Sequence, residues 1–166
     1  RFRSRVGLAN VRFVRANLFR PPVAPGSVDV GLSSGVLHHT ADPAGGFRAL
    51  VDAVRPGGLV VVGLYSVTGR LLLPTLRSRH AKDTTRRGQA WYHDQHLHPH
   101  ETRHFVHEVL GWMDTAGVRF VRAFPDISFG GPDVRGAAWE HWAKQLSWLG
   151  RAADGGLFVL VGRKEA

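Results

Sequence analysis

Short apolar segments alternate along this chain of 166 residues with longer segments whose apolar residues recur every three or four positions. The short segments are typical of β-strands, and the longer ones of amphipathic helices. Five segments have the strand pattern: 11–16, 28–32, 59–65, 118–124 and 157–162. Because helix-length segments separate these strands, the pattern predicts an α/β fold with a doubly wound, mostly parallel sheet. The final strand is predicted to pair antiparallel.

Three of the longer segments carry helix signals. Asp42-Pro43 is typical of a helix start, because the carboxylate can cap free backbone N–H groups and proline fits the first helical position. A second helix is predicted to open at Pro99 and to end at Gly117. The apolar stripes of these two helices are Phe47, Leu50, Val51 and Val54, and Phe105, Val106, Val109, Leu110 and Met113. A third helix is predicted over 137–149, with one face packed in the core: Trp139, Trp142, Leu146 and Leu149.

The composition excludes several classes of protein. No apolar run approaches the ~18 residues that a membrane-spanning helix needs. The absence of cysteine excludes a disulfide scaffold, a thiolate zinc site and a cysteine nucleophile, and favours a cytoplasmic protein. Lys and Arg total 22 against 13 Asp and Glu, for a formal net charge of +9. Because the bases are scattered, a solvated basic surface is favoured, and a nucleic-acid partner is the alternative.

One ordered set of motifs occupies residues 28–66, VDVGLSSGVLHHTADPAGGFRALVDAVRPGGLVVVGLYS. A strand with an internal Asp is followed by Ser-Gly-Val-Leu-His-His, then by Asp-Pro and an amphipathic helix. Arg-Pro-Gly-Gly then leads into an apolar strand. In this order the motifs resemble the second half of the class I S-adenosylmethionine-dependent methyltransferases. The resemblance extends with less detail to 10–17, 112–124 and 157–163, as the family's third, sixth and seventh strands with adjoining residues.

The resemblance implies where S-adenosylmethionine would bind. The polar residue after the family's third strand bonds the adenine amino group, and here that position is Asn17, with the backbone of Leu18 next to it. Asn supplies an amide oxygen where the family more often has Asp. The family's methionine-binding stretch after the fourth strand falls on Ser33, Ser34 and Gly35, and Val36 falls beside the adenine.

Two family features are missing from the sequence. Residues 1–9 contain no Gly-x-Gly loop, and no acidic residue for the ribose hydroxyls follows a second strand. In the family's sheet the first two strands lie between the third and the fourth, so the predicted strand 11–16 has no neighbour to pair with. We therefore expect residues 1–166 to form a single partial methyltransferase domain, a fragment that binds the cofactor poorly by itself.

The expected chemistry is transfer of a methyl group, which needs an aligned nucleophile and, for some acceptors, a base. His38 and His39 follow the second strand of the motif set and are candidate catalytic residues, together with Tyr65. Packing against the following helix is the alternative role for the two histidines. Ser66, on the same rim, is a candidate substrate contact.

A His-rich stretch runs from His93 to His107. His93 and Asp94 are its candidate substrate-binding members. Glu101, His104 and Glu108 have helical spacing, which would place them on one face, so a metal is the alternative. No His-Glu-x-x-His motif is present, and no metal ligands are predicted.

The sequence thus predicts S-adenosylmethionine-dependent methyl transfer to an unidentified acceptor, most simply a small molecule. Segments 67–98 and 126–149 are the expected specificity insertions. Two alternatives stay open. One is an RNA methyltransferase whose Arg77–Arg87 segment binds phosphates. The other is a non-enzymatic module, either an orphan fragment or a metal binder that uses the His-rich stretch.

Overall fold

The computed structural model describes residues 9–72, 85, 86, 89, 92, 100–149 and 156–166. In chain order the helices and strands are β1 (Val28–Ser34), α1 (Pro43–Ala53), β2 (Val54–Tyr65), α2 (Val106–Thr115), β3 (Val118–Phe124), α3 (Ala138–Ser147) and β4 (Leu157–Lys164). A 3₁₀ turn, Leu37–His39, lies between β1 and α1. Most of the predicted insertion 67–98 lies outside the described residues. No helix in the described part of the chain is long and apolar enough to cross a membrane.

The four strands form one sheet in the order β1-β2-β4-β3. β1 and β2 are parallel, and β4 runs antiparallel to both β2 and β3. Strands β1, β2 and β3 therefore point the same way, and their carboxyl ends meet at one rim. The predicted α/β fold with an antiparallel final strand is confirmed.

Helix α1 begins as its sequence predicts. The Asp42 carboxylate accepts a hydrogen bond from the backbone N–H of Gly45 at 2.8 Å, and Pro43 is the first helical residue. The helix buries Phe47 and Val51 against β1 and β2. This packing fixes the turn between β1 and α1, which carries the candidate histidines.

The Arg-Pro-Gly-Gly segment interrupts the pairing of β2 with β1. The register passes from Val28 opposite Val54 directly to Val30 opposite Leu59. Gly57 adopts the left-handed conformation, with φ +77°, which favours glycine. The Arg-Pro-Gly-Gly segment therefore forms a bulge inside a longer strand. β2 starts five residues before the predicted strand 59–65.

The core lies on one face of the sheet. Buried residues of β2 and β4 alternate with half-buried ones, and the buried set packs with α1 and α2. Buried members from the two strands are Val60, Val62, Leu64, Phe158 and Leu160. On the opposite face Val30 and Leu32 of β1 are exposed.

The predicted strand 11–16 is wrong. These residues form no strand in the structure, and Phe13 and Val14 are exposed. Only an isolated antiparallel bridge joins Asn17 to Arg20 just beyond them. No described strand lies beside these residues, and an alternating segment becomes a strand only where a second strand satisfies its backbone groups.

The predicted helix start at Pro99 is also wrong, although Pro99 itself lies outside the described residues. Helix α2 begins at Val106, and His104 before it makes a parallel bridge to Ser66. The segment 100–104 is therefore extended along the end of β2. The predicted stop is confirmed, because Gly117 follows the helix with φ +64°.

The apolar face of α3 that the sequence predicts to be buried is exposed in the structure. Trp139, Trp142 and Leu146 are 65%, 44% and 57% exposed. The buried residues are His141 and Gln145. Gln145 Oε1 accepts a hydrogen bond from the backbone N–H of Val106 at 2.9 Å, at the start of α2. The first backbone N–H groups of a helix have no acceptor within that helix. The face of α3 that packs on the start of α2 is therefore polar.

Replacing Gln145 with Leu should destabilise the fold by about 1–3 kcal/mol, because the buried N–H of Val106 loses its acceptor. The control is Leu146→Ala, an exposed apolar position that should change the free energy of unfolding by less than about 0.5 kcal/mol. Urea unfolding followed by circular dichroism measures both. A larger loss for the Leu146 variant would contradict the orientation of α3.

Glu140 fastens the first turn of α3 to the preceding loop. Its carboxylate accepts hydrogen bonds from the backbone N–H groups of Ala137 and Phe129, each at 2.8 Å. These bonds, the one from Ala137 first, lower the pKa of Glu140 below its ordinary value of 4.5. A lowered pKa stabilises the fold above pH 4.5, and this contribution is lost as the pH falls through the folded-state pKa.

Glu140→Gln should therefore lower the melting temperature at pH 7 and flatten its decline below pH 4.5. Thermal melts between pH 7 and pH 3 measure this effect. Glu165→Gln, near the end of β4, is the control and should leave the decline unchanged. Parallel pH curves for Glu140→Gln and the unsubstituted protein would contradict the role of the charge.

Candidate active site at the strand rim

Gly35 ends β1 with its backbone open to the surroundings. Its φ is +72°, and a Cβ built there would meet no other atom within 4 Å. Its N–H donates a hydrogen bond to Gly63 O on β2 at 3.1 Å. The neighbouring Ser33 hydroxyl is buried and has no hydrogen-bond partner among the described residues. A ligand can therefore approach the backbone closely here.

Tyr65 at the end of β2 is held between two other side chains. The His38 ring stacks on it with 3.8 Å between centroids, and the Arg70 guanidinium carbon lies 3.7 Å from the phenol centroid. Two groups this near one centroid must occupy opposite faces of the ring. The rim is thus built around a stack of imidazole, phenol and guanidinium, which favours a fixed Tyr65.

The Arg70 charge is buried and paired. Arg70 is 1% exposed, and it donates from Nε and Nη2 to the two Glu101 carboxylate oxygens at 3.0 and 2.6 Å. The exposed Arg103 donates to the same carboxylate at 3.2 Å. This bidentate ion pair fixes the orientation of the Arg70 guanidinium as well as balancing its charge. It ties the segment after β2 to the segment before α2.

Backbone hydrogen bonds complete this tie. His104 N donates to Tyr65 O, and Thr102 N donates to His38 O, both at 2.8 Å. His39 Nδ1 lies 2.9 Å from His100 O. The extended segment 100–104 therefore joins the ends of β1 and β2 from one side.

A polar chain runs behind this segment. Thr102 Oγ1 lies 2.9 Å from His104 Nε2, and His104 Nδ1 lies 2.9 Å from a Glu108 carboxylate oxygen. A carboxylate accepts, so Nδ1 carries the proton. The interpretation of Glu101, His104 and Glu108 as one helical face is wrong, because α2 starts only at Val106. In the described ranges no group of three His, Asp or Glu side chains could hold a metal ion.

The structure brings most of the predicted site residues together. Ser33, Ser34, Gly35 and Val36 lie where β1 ends, and His38, His39, Tyr65 and Ser66 lie beside them. His38 is fully buried, whereas His39 is only half-buried. Leu18 packs against the core near Gly46 of α1. The predicted substrate contacts His93 and Asp94 lie outside the described residues.

Sequence reasoning missed Arg70, and it missed that Glu101 is the partner of Arg70. These two residues are 31 positions apart, and no periodicity connects them. The sequence offered only an indirect signal. A glutamate that becomes buried needs a cation as its partner, but the sequence does not indicate which cation that is.

The end of β1 has features that the expected cofactor, S-adenosylmethionine, would need. The open backbone at Gly35 and the unpartnered Ser33 hydroxyl suit a closely approaching polar ligand. The nucleoside end is less complete, because Asn17 Oδ1 already accepts a hydrogen bond from Phe19 N at 2.9 Å. The described residues thus leave open backbone at the end of β1, while the Asn17 side chain is already engaged by its own loop.

Comparisons with known proteins agree with this geometry. Residues 1–62 match the family model described as a methyltransferase domain. An uncharacterized methyltransferase of Mycobacterium sp. (strain JLS) is 48% identical over 59 residues, which make up 36% of this chain and 23% of that protein.

Two solved structures share the fold. The [4+2]-cyclase SpnF has a TM-score of 0.58 at 16% identity, over 99% of this chain and 60% of the cyclase. A geranyl diphosphate methyltransferase in complex with S-adenosylmethionine has a TM-score of 0.54 at 14% identity, over 98% and 62%.

The fold is therefore that of the class I S-adenosylmethionine-dependent methyltransferases. The predicted resemblance to this family is confirmed, in sequence over residues 1–62 and in fold over the four-stranded sheet. The chain spans about a quarter of the Mycobacterium protein and about three fifths of each solved structure.

Breaking the buried ion pair should loosen the rim. Arg70→Met leaves the Glu101 carboxylate without its buried partner, so a loss of about 3–5 kcal/mol in the free energy of unfolding is expected. The control is Arg55→Met, which removes an exposed ion pair to Asp29 and should cost less than about 1 kcal/mol. Urea unfolding compares them, and equal losses would contradict the importance of the Arg70 pair.

Proposed function

We propose that this chain transfers a methyl group from S-adenosylmethionine to a small-molecule acceptor bound at the strand rim. The observation that carries the proposal is the open backbone of Gly35 beside the Tyr65 stack. S-adenosylmethionine, when bound, supplies an electrophilic methyl group on sulfonium sulfur. Ser33, Ser34 and Gly35 would hold the end of the cofactor that bears this methyl group, with Val36 beside the adenine.

His39 is the residue we assign to proton removal. Its Nδ1 faces the His100 carbonyl oxygen at 2.9 Å, and a carbonyl can only accept, so Nδ1 carries the hydrogen. In the neutral ring the lone pair is then on Nε2, a buried ring atom that would take the proton from an acceptor bound against it. His38 is fully buried under Tyr65 and is better suited to positioning that ring.

Tyr65 and Ser66 form the wall on the acceptor side. Tyr65 pairs with Leu157 of β4, and its carbonyl accepts a hydrogen bond from His104 N. Ser66 N donates to Gly156 O, the Ser66 carbonyl accepts from Arg70 N, and the phenol ring is fixed by its stack. A fixed wall orients the nucleophile before reaction, which is the main contribution that a protein makes to such a displacement.

The cofactor part of the proposal is tested by titration with S-adenosylhomocysteine. Gly35→Ala should weaken binding at least tenfold, because a methyl group would intrude where the ligand meets the backbone; tenfold corresponds to about 1.4 kcal/mol. Gly117→Ala is the matched control, since Gly117 also has a positive φ and open space around it. The two variants carry similar backbone strain of about 1–2 kcal/mol.

Ligand-observed nuclear magnetic resonance suits this titration, because the incomplete nucleoside site predicts weak binding. Retained binding in the Gly117 variant and loss in the Gly35 variant would support the proposal. Equal affinity in both variants, or no binding at about 1 mM ligand, would refute it.

The base assignment is tested by methyl transfer from labelled S-adenosylmethionine to a panel of small hydroxyl, amine and carboxylate acceptors. For an acceptor that is methylated, His39→Gln should reduce turnover by about 10²–10⁴ without changing S-adenosylhomocysteine binding. His107→Gln is the control, because His107 is an exposed histidine of α2 whose ring contacts Phe105 and Trp142. Unchanged turnover and pH profile in the His39 variant would exclude His39 as the base.

A further inference from the structure

An apolar cleft of about 390 Å³ lies where β4 begins and β3 ends. We name it the β4 cleft. Its lining residues are Gly69, Phe124, Pro125, Trp148, Gly156, Leu157 and Val159. A volume of this size falls at the lower end of the range for small-molecule sites, roughly 300–1,000 Å³.

The β4 cleft adjoins the proposed methyl-transfer site. Leu157, in its wall, is the register partner of Tyr65 across β2 and β4. Ser66 N donates a hydrogen bond to Gly156 O at 2.8 Å. Gly69 and Gly156 touch, since a Cβ on Gly69 would lie 2.9 Å from the Gly156 Cα. The end of β2 is therefore shared between the Tyr65 stack and the inner end of the cleft.

The described walls of the β4 cleft are aromatic and aliphatic, and none of the described lining side chains is charged. Phe124 is half exposed and presents its ring, while Trp148 is buried behind it. The nearest cation along β3, Arg122, is paired with Asp133 and lies 5.5 Å from the Phe124 centroid. A charged group buried against these walls would lose its hydration without gaining a partner.

A second depression of about 400 Å³ shares Pro125 and Trp148 with the β4 cleft. It contains the polar side chains Asp126, Lys144 and Ser147. Lys144 Nζ lies 4.8 Å from the Phe129 ring centroid. The β4 cleft beside the rim is therefore apolar, and the depression on the other side of Pro125 and Trp148 is polar.

From this arrangement we infer the chemical class of the acceptor, an inference that rests on the proposed function. The acceptor is an uncharged small molecule whose aromatic or branched aliphatic body fills the β4 cleft. A polar substituent at its far end would reach Lys144 and Asp126. The predicted insertion 126–149 contributes Trp148 and the polar end, so it takes part in choosing the acceptor.

The inference is tested with N-phenyl-1-naphthylamine, a neutral aromatic fluorophore that brightens on leaving water. Val159→Trp fills the cleft and should weaken binding of this probe at least tenfold. Val161→Trp is the matched control, because Val161 is half-buried two positions further along the same strand and outside the cleft lining. Thermal melts of both variants verify folding.

A second pair of variants does not depend on accommodating a larger side chain. Phe124→Ser removes a cleft wall and should weaken probe binding about fivefold or more. Phe129→Ser removes a comparably exposed phenylalanine that does not line the cleft, and it should have little effect. Equal loss, or no loss, within both pairs would overturn the inference, as would absence of probe binding by the unsubstituted protein.

Titration of the same variants with S-adenosylhomocysteine separates this inference from the proposed function. Cleft variants that lose the probe but keep S-adenosylhomocysteine binding would support both. Probe binding at the cleft by a protein that does not bind S-adenosylhomocysteine would refute the proposed function, and with it the assignment of the cleft ligand as a methyl acceptor.

Discussion

The buried contact of Arg70 with Glu101 and Tyr65 organises the rim of this protein. The segment after β2 and the segment before α2 meet there. The Arg70 guanidinium pairs with the Glu101 carboxylate and covers one face of the Tyr65 ring. A buried charge is tolerable only with such complete pairing. Through Tyr65 the same contact fixes His38, and through segment 100–104 it fixes the position of His39.

The fold alone does not determine the reaction, since a [4+2]-cyclase has the same fold as a methyltransferase that binds S-adenosylmethionine. The case for methyl transfer in this chain therefore depends on side chains and backbone at the rim. The strongest feature is the end of β1, where a glycine with positive φ leaves its backbone approachable beside a fixed aromatic ring. The weaker feature is the nucleoside end, where Asn17 is engaged by its own loop.

Local signals in the sequence predicted the elements that are stabilised locally or by continuous burial. Asp42-Pro43 predicted the start of α1, and Gly117 predicted the end of α2, because a cap and a left-handed residue act within one turn. The prediction of a strand over 11–16 was wrong, because no described strand lies beside these residues. Periodicity located α3 but gave the wrong buried face, since Gln145 is drawn inward by a free N–H on another helix.

The site followed the same division. The placement of Ser33 to Val36, His38, His39 and Tyr65 at one rim was predictable, because strand ends in a parallel sheet meet there. The Arg70 and Glu101 pair was not, since only the folded chain brings together two charges that are 31 residues apart. Charge pairing of this kind depends on three-dimensional distance, and residue spacing does not encode it.

The position of β4 between β2 and β3 has a consequence for how the molecule is assembled during synthesis. Of the four described strands, β4 is made last, yet β3 can join the sheet only through it. Before β4 is made, β3 is therefore unpaired in the described sheet, and the edge of β2 that β4 will join is open. A chain that pauses before β4 would expose that edge to chaperones or to other chains. Synthesis of β4 therefore closes an edge that is prone to aggregation.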